Sequence, residues 1–235
     1  MNTKQSGRWP WAMAGGVLFC AIVAAAGAAI HPRYERMAPL EQYLMNPEAE
    51  IALARSAAPN AISGKATVLT LRKDGYATAV DGTNGFTCIV ERSWMAPFDS
   101  LEFWNSKMRA PICYNPAASR SILTYTLKRT RLALAGRSRE EMLDEVRAAL
   151  ARKEVPAPEP GAMSFMMSKD AYLGDDQGHW HSHLMFHVPK ASAASWGANI
   201  PGSPVILDDR LVPEPQSIFL VPVGHWSDGA VAPIS

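Results

Sequence analysis

Cysteine is scarce in this chain, with three in 235 residues. That scarcity excludes a small scaffold stapled by several disulfides. Charge of one sign is never concentrated: the formal net charge is +1, and no block of lysines or arginines marks a face for nucleic acid. Low-complexity tracts are absent, and a composition 48% hydrophobic and 19% charged is that of a folded globular domain. Familiar catalytic signatures are missing as well. There is no G-x-S-x-G, H-E-x-x-H, P-loop, C-x-x-C-H or dinucleotide-binding glycine pattern. This removes the motif-defined enzyme classes, but not an enzyme whose groups meet only in space.

Acidic residues are missing from residues 1–28, where Lys4 and Arg8 precede the apolar run WPWAMAGGVLFCAIVAAAGAAI. Ala26-Gly27-Ala28 fits the small-residue rule for signal-peptide cleavage before Ala29. An uncleaved anchor is the competing reading, because the run approaches the roughly 20 residues that span a bilayer. The basic flank HPRYER weakens the charge asymmetry of a clean leader. Either reading places the remainder outside the cytoplasm, as an exported, bacterial-type domain in the periplasm or beyond. Cleavage before Ala29 would also expose Ala-Ile-His, whose nitrogens suit Cu(II) or Ni(II) in a square plane.

With the leader set aside, Cys88 and Cys113 remain, and an even pair in an oxidising space predicts one disulfide. Closing such a loop stabilises the fold by about 3 kcal/mol in the chain-entropy model. The alternative is a Cys88 nucleophile presented by the turn-like NGFTC, which would need a nearby base and a free thiol.

Residues 29–37 read as a linker, and 38–235 as a single α+β domain. Asn46-Pro47 is an N-cap with proline at the first helical position, and the helix runs towards Pro59. KATVLTLR, YATAV and FTCIVER, separated by two Asp-Gly turns, predict an antiparallel meander. The segment MAPFDSLEFWNSKMRAPICYNP reads as irregular. Asn115-Pro116 opens a helix that Gly136 stops, and Ser138 with Glu141 forms a capping box for a second helix packed against it. Further β-rich runs follow VPAPEPG at 155–161: AMSFMMS, HSHLMFHV, SPVILD and QSIFLVPV. Strands, a helix pair and strands again predict a mainly antiparallel sheet covered by helices on one face, including an αα-hairpin.

Four of the six histidines fall in GHWHSHLMFHVP, at 179, 181, 183 and 187. On a strand the even positions Trp180, Ser182, Leu184, Phe186 and Val188 share one face, and His179, His181, His183, Met185 and His187 share the other. The plain reading puts the oily face in the core and the imidazoles on a half-wet surface. The functional reading is a ligand or metal site built from His179, His181 and His183 with His225, and with Asp176 or Asp175 ligating or orienting a ring. Zinc suits such N and O ligands, and an open position would make it a hydrolase centre with Asp176 as base. Met163, Met166, Met167 and Met185 raise copper, although methionine also serves as flexible core filler. Ser168-Lys169-Asp170 offers groups for proton transfer, and Glu91-Arg92 beside Trp94 either binds a ligand or ends a strand. The leading expectation is therefore small-ligand or metal-ion binding through the histidine strand, with a zinc-dependent hydrolase and a structural module of the cell envelope as its rivals.

Overall fold

Residues 34–175, 181–203, 205–208 and 216–233 are described by a computed structural model. The leader, Asp176 and His179 lie outside them. The first helix starts where its sequence says it should. The Asn46 side chain accepts hydrogen bonds from the N–H groups of Glu48 and Ala49, and α1 runs Pro47–Arg55. A short α2, Asn60–Ser63, leads into β1, Thr67–Arg72, which turns at Asp74 into β2, Gly75–Val80. Next come β3, Thr87–Glu91, and β4, Ala110–Tyr114. The helical segment is α3, Pro116–Arg120, then α4, Ile122–Leu134, and α5, Arg139–Ala151. The capping box at Ser138 is present, with both reciprocal bonds. Strands β5, Met163–Met166, β6, His183–Val188, β7, Ile206–Asp208, and β8, Ser217–Pro222, complete the chain.

These strands form one sheet in the order β2-β1-β3-β4-β5-β6-β8-β7, antiparallel except where β1 meets β3. The α+β class therefore holds, with one correction to the meander. After β2 the chain crosses the start of β1 and pairs β3 with β1 in parallel. Gly82 permits this crossing: it donates to the Thr67 hydroxyl, and a Cβ there would lie 2.1 Å from the Thr67 nitrogen. Thr83 N–H bonds the Lys65 carbonyl, and the Asn84 side chain bonds that of Ile62, fixing the loop across the strand end.

A second correction concerns β4. This central, fully buried strand lies in a segment that reads as irregular, because Pro111 cannot donate to a ladder and argues against a central strand. Beside it, Cys88 and Cys113 stand directly opposite on β3 and β4 and form a disulfide, which removes the Cys88 nucleophile. The Asn115 cap opens α3 at Pro116 as expected, but Ser121 interrupts the helix before α4. Among the described residues no helix is long and apolar enough to cross a membrane.

Both faces of the sheet are covered, not one. Alternation sends Val68, Cys88, Val90 and Cys113 to the side where Ala54 of α1 packs. It sends Ile89, Ile112 and Tyr114 to the side of Ile122 and Leu123 of α4. An ion pair ties α1 to the end of β3: Arg92 Nη2 meets Glu50 Oε1 at 2.8 Å, with the side chains 0% and 1% exposed. Glu50 Oε1 also accepts from the Leu71 N–H, and Arg92 donates to the carbonyls of Tyr43 and Val90. Breaking such a pair strands a buried charge. Glu50→Ala is thus expected to lower unfolding stability by about 3–5 kcal/mol, read from the midpoint of urea denaturation. A midpoint unchanged within error would show that the pair carries no such load.

Candidate functional site

Between the α4 side of the sheet and the segment after β3 lies a cavity of about 650 Å³. The period of two decides which residues look into it. Along β6 these are His183, Met185 and His187, and along β8 Ile218 and Leu220, which pair with His187 and Met185. Glu91 ends β3, and Ala110, Ile112 and Tyr114 supply β4. The roof is α4, through Ile122, Tyr125 and Thr126, with Met95, Ala96 and Pro97 beside it.

Two anchors hold that roof in place. Trp94, fully buried, donates its indole N–H to the Thr130 hydroxyl at 3.0 Å. Arg129, 1% exposed, lies 4.2 Å over the Phe98 ring and donates to the Ala96 carbonyl at 2.7 Å.

The alternation expected for the histidine strand is present, but its faces are exchanged relative to the plain reading. His183 and His187 are 8% and 3% exposed and face inward. Leu184, Phe186 and Val188 are only half-buried, and Phe186 is covered from outside by Trp196, which also packs on Phe219. Polarity misassigns the faces because the inner one lines a cavity rather than packed core.

Each inward polar group is oriented. His183 Nδ1 lies 2.6 Å from the His181 carbonyl, which can only accept, so the proton of the neutral ring sits on Nδ1. His187 Nε2 lies 2.9 Å from the Ser164 hydroxyl. Desolvation pushes both imidazoles down to about 4, against the opposing pull of the His181 carbonyl on one and the Gln216 side chain on the other. Both are therefore neutral at pH 7.

Glu91 behaves in the opposite sense. Burial raises its carboxyl above the ordinary range, opposed by hydrogen bonds from Tyr114 and Thr126 and by the Arg129 charge. The Tyr114 hydroxyl donates to Glu91 Oε1 at 2.5 Å, and Thr126 Oγ1 lies 3.1 Å from the same atom. A second carboxylate, Glu102, also lines the cavity. Its Oε2 accepts from the Asn105 amide, while Oε1 is buried without a hydrogen bond. Gly174 packs against it at positive φ, and a Cβ there would lie 2.6 Å from Glu102 Cδ, so any side chain at 174 would displace the Glu102 carboxylate.

The residues expected to hold a metal are partly dispersed. His181 and His183 line the cavity, whereas His225 is exposed and not part of its wall. The His225 carbonyl accepts from the Ser182 hydroxyl at 2.6 Å. Asp175 is exposed and bonds Tyr34 and Tyr172. Among the described residues no three histidines, cysteines or acids are grouped to hold an ion. The Ser168 hydroxyl accepts from the Asp170 N–H, so those two are linked through backbone rather than through the carboxylate. Ser168 pairs with Ser56, and Lys169 with Asp228. Of the methionines, Met166 and Met185 reach the cavity, joined by Met95 and Met108.

Sequence reasoning marked Glu91 but missed Tyr114, Thr126 and Glu102. Tyr114 sits just before the Asn115 cap, and nothing in its neighbours announces a site. In comparisons with protein-family models, curated proteins and solved structures, nothing matches this chain.

The buried imidazoles give a sign to the pH dependence. Their folded-state pKa lies below the unfolded value near 6.5, so the unfolded chain binds the extra protons. Their contribution is fully present above about pH 6.5 and is lost as the pH falls towards 4. Proton NMR of the imidazole C–H signals should show His183 and His187 unprotonated down to pH 5. A midpoint near 6.5 for either would contradict its burial.

Proposed function

We propose that the protein is an exported small-ligand-binding domain whose site is the cavity between β6 and α4. One observation carries the reading: a space of about 650 Å³, with mainly apolar walls, on which a few oriented polar groups converge. Small-molecule sites typically measure about 300–1,000 Å³ and share that composition. Met95, Met108, Met166 and Met185 supply adaptable apolar wall, as suits a site that shapes itself to its occupant. Neutral imidazoles and the hydroxyl-anchored Glu91 supply direction. The charged leader-like segment and the disulfide support a location outside the cytoplasm.

Among the described residues, the state of the serine bonded to the inward His187 supports binding rather than catalysis. Ser164 is 0% exposed and does not line the cavity, so it orients His187 and offers no nucleophile to a ligand.

The test uses N-phenylnaphthylamine, a neutral dye whose emission rises in apolar surroundings. The full domain should give a saturable rise at one dye per chain. Met185→Trp, which fills the cavity from its floor, should weaken that binding more than about tenfold while circular dichroism stays that of the parent. No saturable rise, or equal affinity in the variant, would refute the reading.

A further inference from the structure

The cavity wall is unevenly charged. Glu91 and Glu102 bring carboxylates into it, and Asp99, exposed, adds a third at its edge. Among the described lining residues Arg92 alone is a lysine or arginine, and its guanidinium is committed to Glu50 and to the carbonyls of Tyr43 and Val90. Arg129 acts on Glu91 from behind the wall, where it is held by Phe98 and the Ala96 carbonyl.

A carboxylate beside apolar walls is unfavourable until a cation or a full set of donors meets it. Neither carboxylate is met in full. Both bonds to Glu91 land on Oε1, from Tyr114 and Thr126. Glu102 uses Oε2 for Asn105, and its Oε1, on a side chain 9% exposed, has no hydrogen bond. Each acid is thus gripped by one oxygen. Neutral imidazoles do not repel a cation.

We infer that the cavity takes an amphiphilic organic cation, an apolar body carrying a protonated amine, and that Glu91 and Glu102 are the carboxylates that receive the ammonium group. This rests on the cavity being a ligand site, and it names the class of ligand. Among the described lining residues, an organic acid of the same shape would meet three carboxylates, with the one guanidinium already bound to Glu50.

The experiment displaces N-phenylnaphthylamine at pH 7 with three probes of one shape: phenylbutylamine, phenylbutanol and phenylbutyrate. The amine should bind about tenfold or more tightly than the alcohol, and the acid most weakly. Glu91→Gln retains an oxygen for Tyr114 and Thr126, and Glu102→Gln retains one for Asn105. Each should pull the amine-to-alcohol affinity ratio towards one, with circular dichroism confirming the fold. If the dye binds saturably but the amine is no tighter than the alcohol, the cation inference is overturned and the binding site stands. If both variants keep the parent's ratio, the assignment to these carboxylates is overturned. If neither the dye nor any probe binds, the cavity reading itself has failed.

Discussion

The ion pair between Glu50 and Arg92 determines where β3 ends and what its last residues face. Consecutive strand residues point to opposite sides. Once Arg92 is drawn to α1 by Glu50 at 2.8 Å, Glu91 must turn to the α4 side, where Tyr114 and Thr126 receive it. The same pair sets the point from which the chain departs to form the roof. A well-packed apolar pair could stabilise the junction as well as these charges do. The ion pair instead adds direction, keeping a cation occupied on one side of the sheet while an acid is presented on the other.

From that point the roof is held by contacts of its own. Trp94 bonds Thr130, and Arg129 stacks on Phe98 and binds the Ala96 carbonyl. Thr130 and Arg129 both belong to α4, so the segment after β3 is fastened to that helix. Interiors otherwise pack densely, and unfilled space costs stability in proportion to its volume. Two large buried side chains, Trp94 and Arg129, join the segment after β3 to α4 beside that space.

Much of this architecture was legible in the sequence, and the failures have a common cause. Caps and turns are local, so Asn46, Asp74-Gly75 and the Ser138 capping box announced themselves. The pairing of Cys88 with Cys113 followed from their even number and the oxidising space that the leader-like segment implies. Strand β4 was hidden because Pro111 reads as a breaker, and only its neighbours β3 and β5 make it central. The parallel junction of β1 and β3 depends on the approach of Gly82 to the backbone of Thr67, which leaves no pattern in sequence. Period-two segregation in β6 was plain, but polarity could not say which side was inner. Glu91 was marked by its place beside Arg92 and Trp94. Its partners Tyr114 and Thr126 come from a distant strand and helix.

Methionine-methyl NMR gives the most direct test of the central claim, because the cavity contains four methionines and others lie elsewhere. On titration with N-phenylnaphthylamine, the methyl signals of Met95, Met108, Met166 and Met185 should move together along one saturation curve. Those of Met45 and Met142, which pack in other parts of the core, should stay in place. Signals that move at Met45 or Met142 while the cavity set stays fixed, or no movement anywhere, would contradict a ligand site under α4.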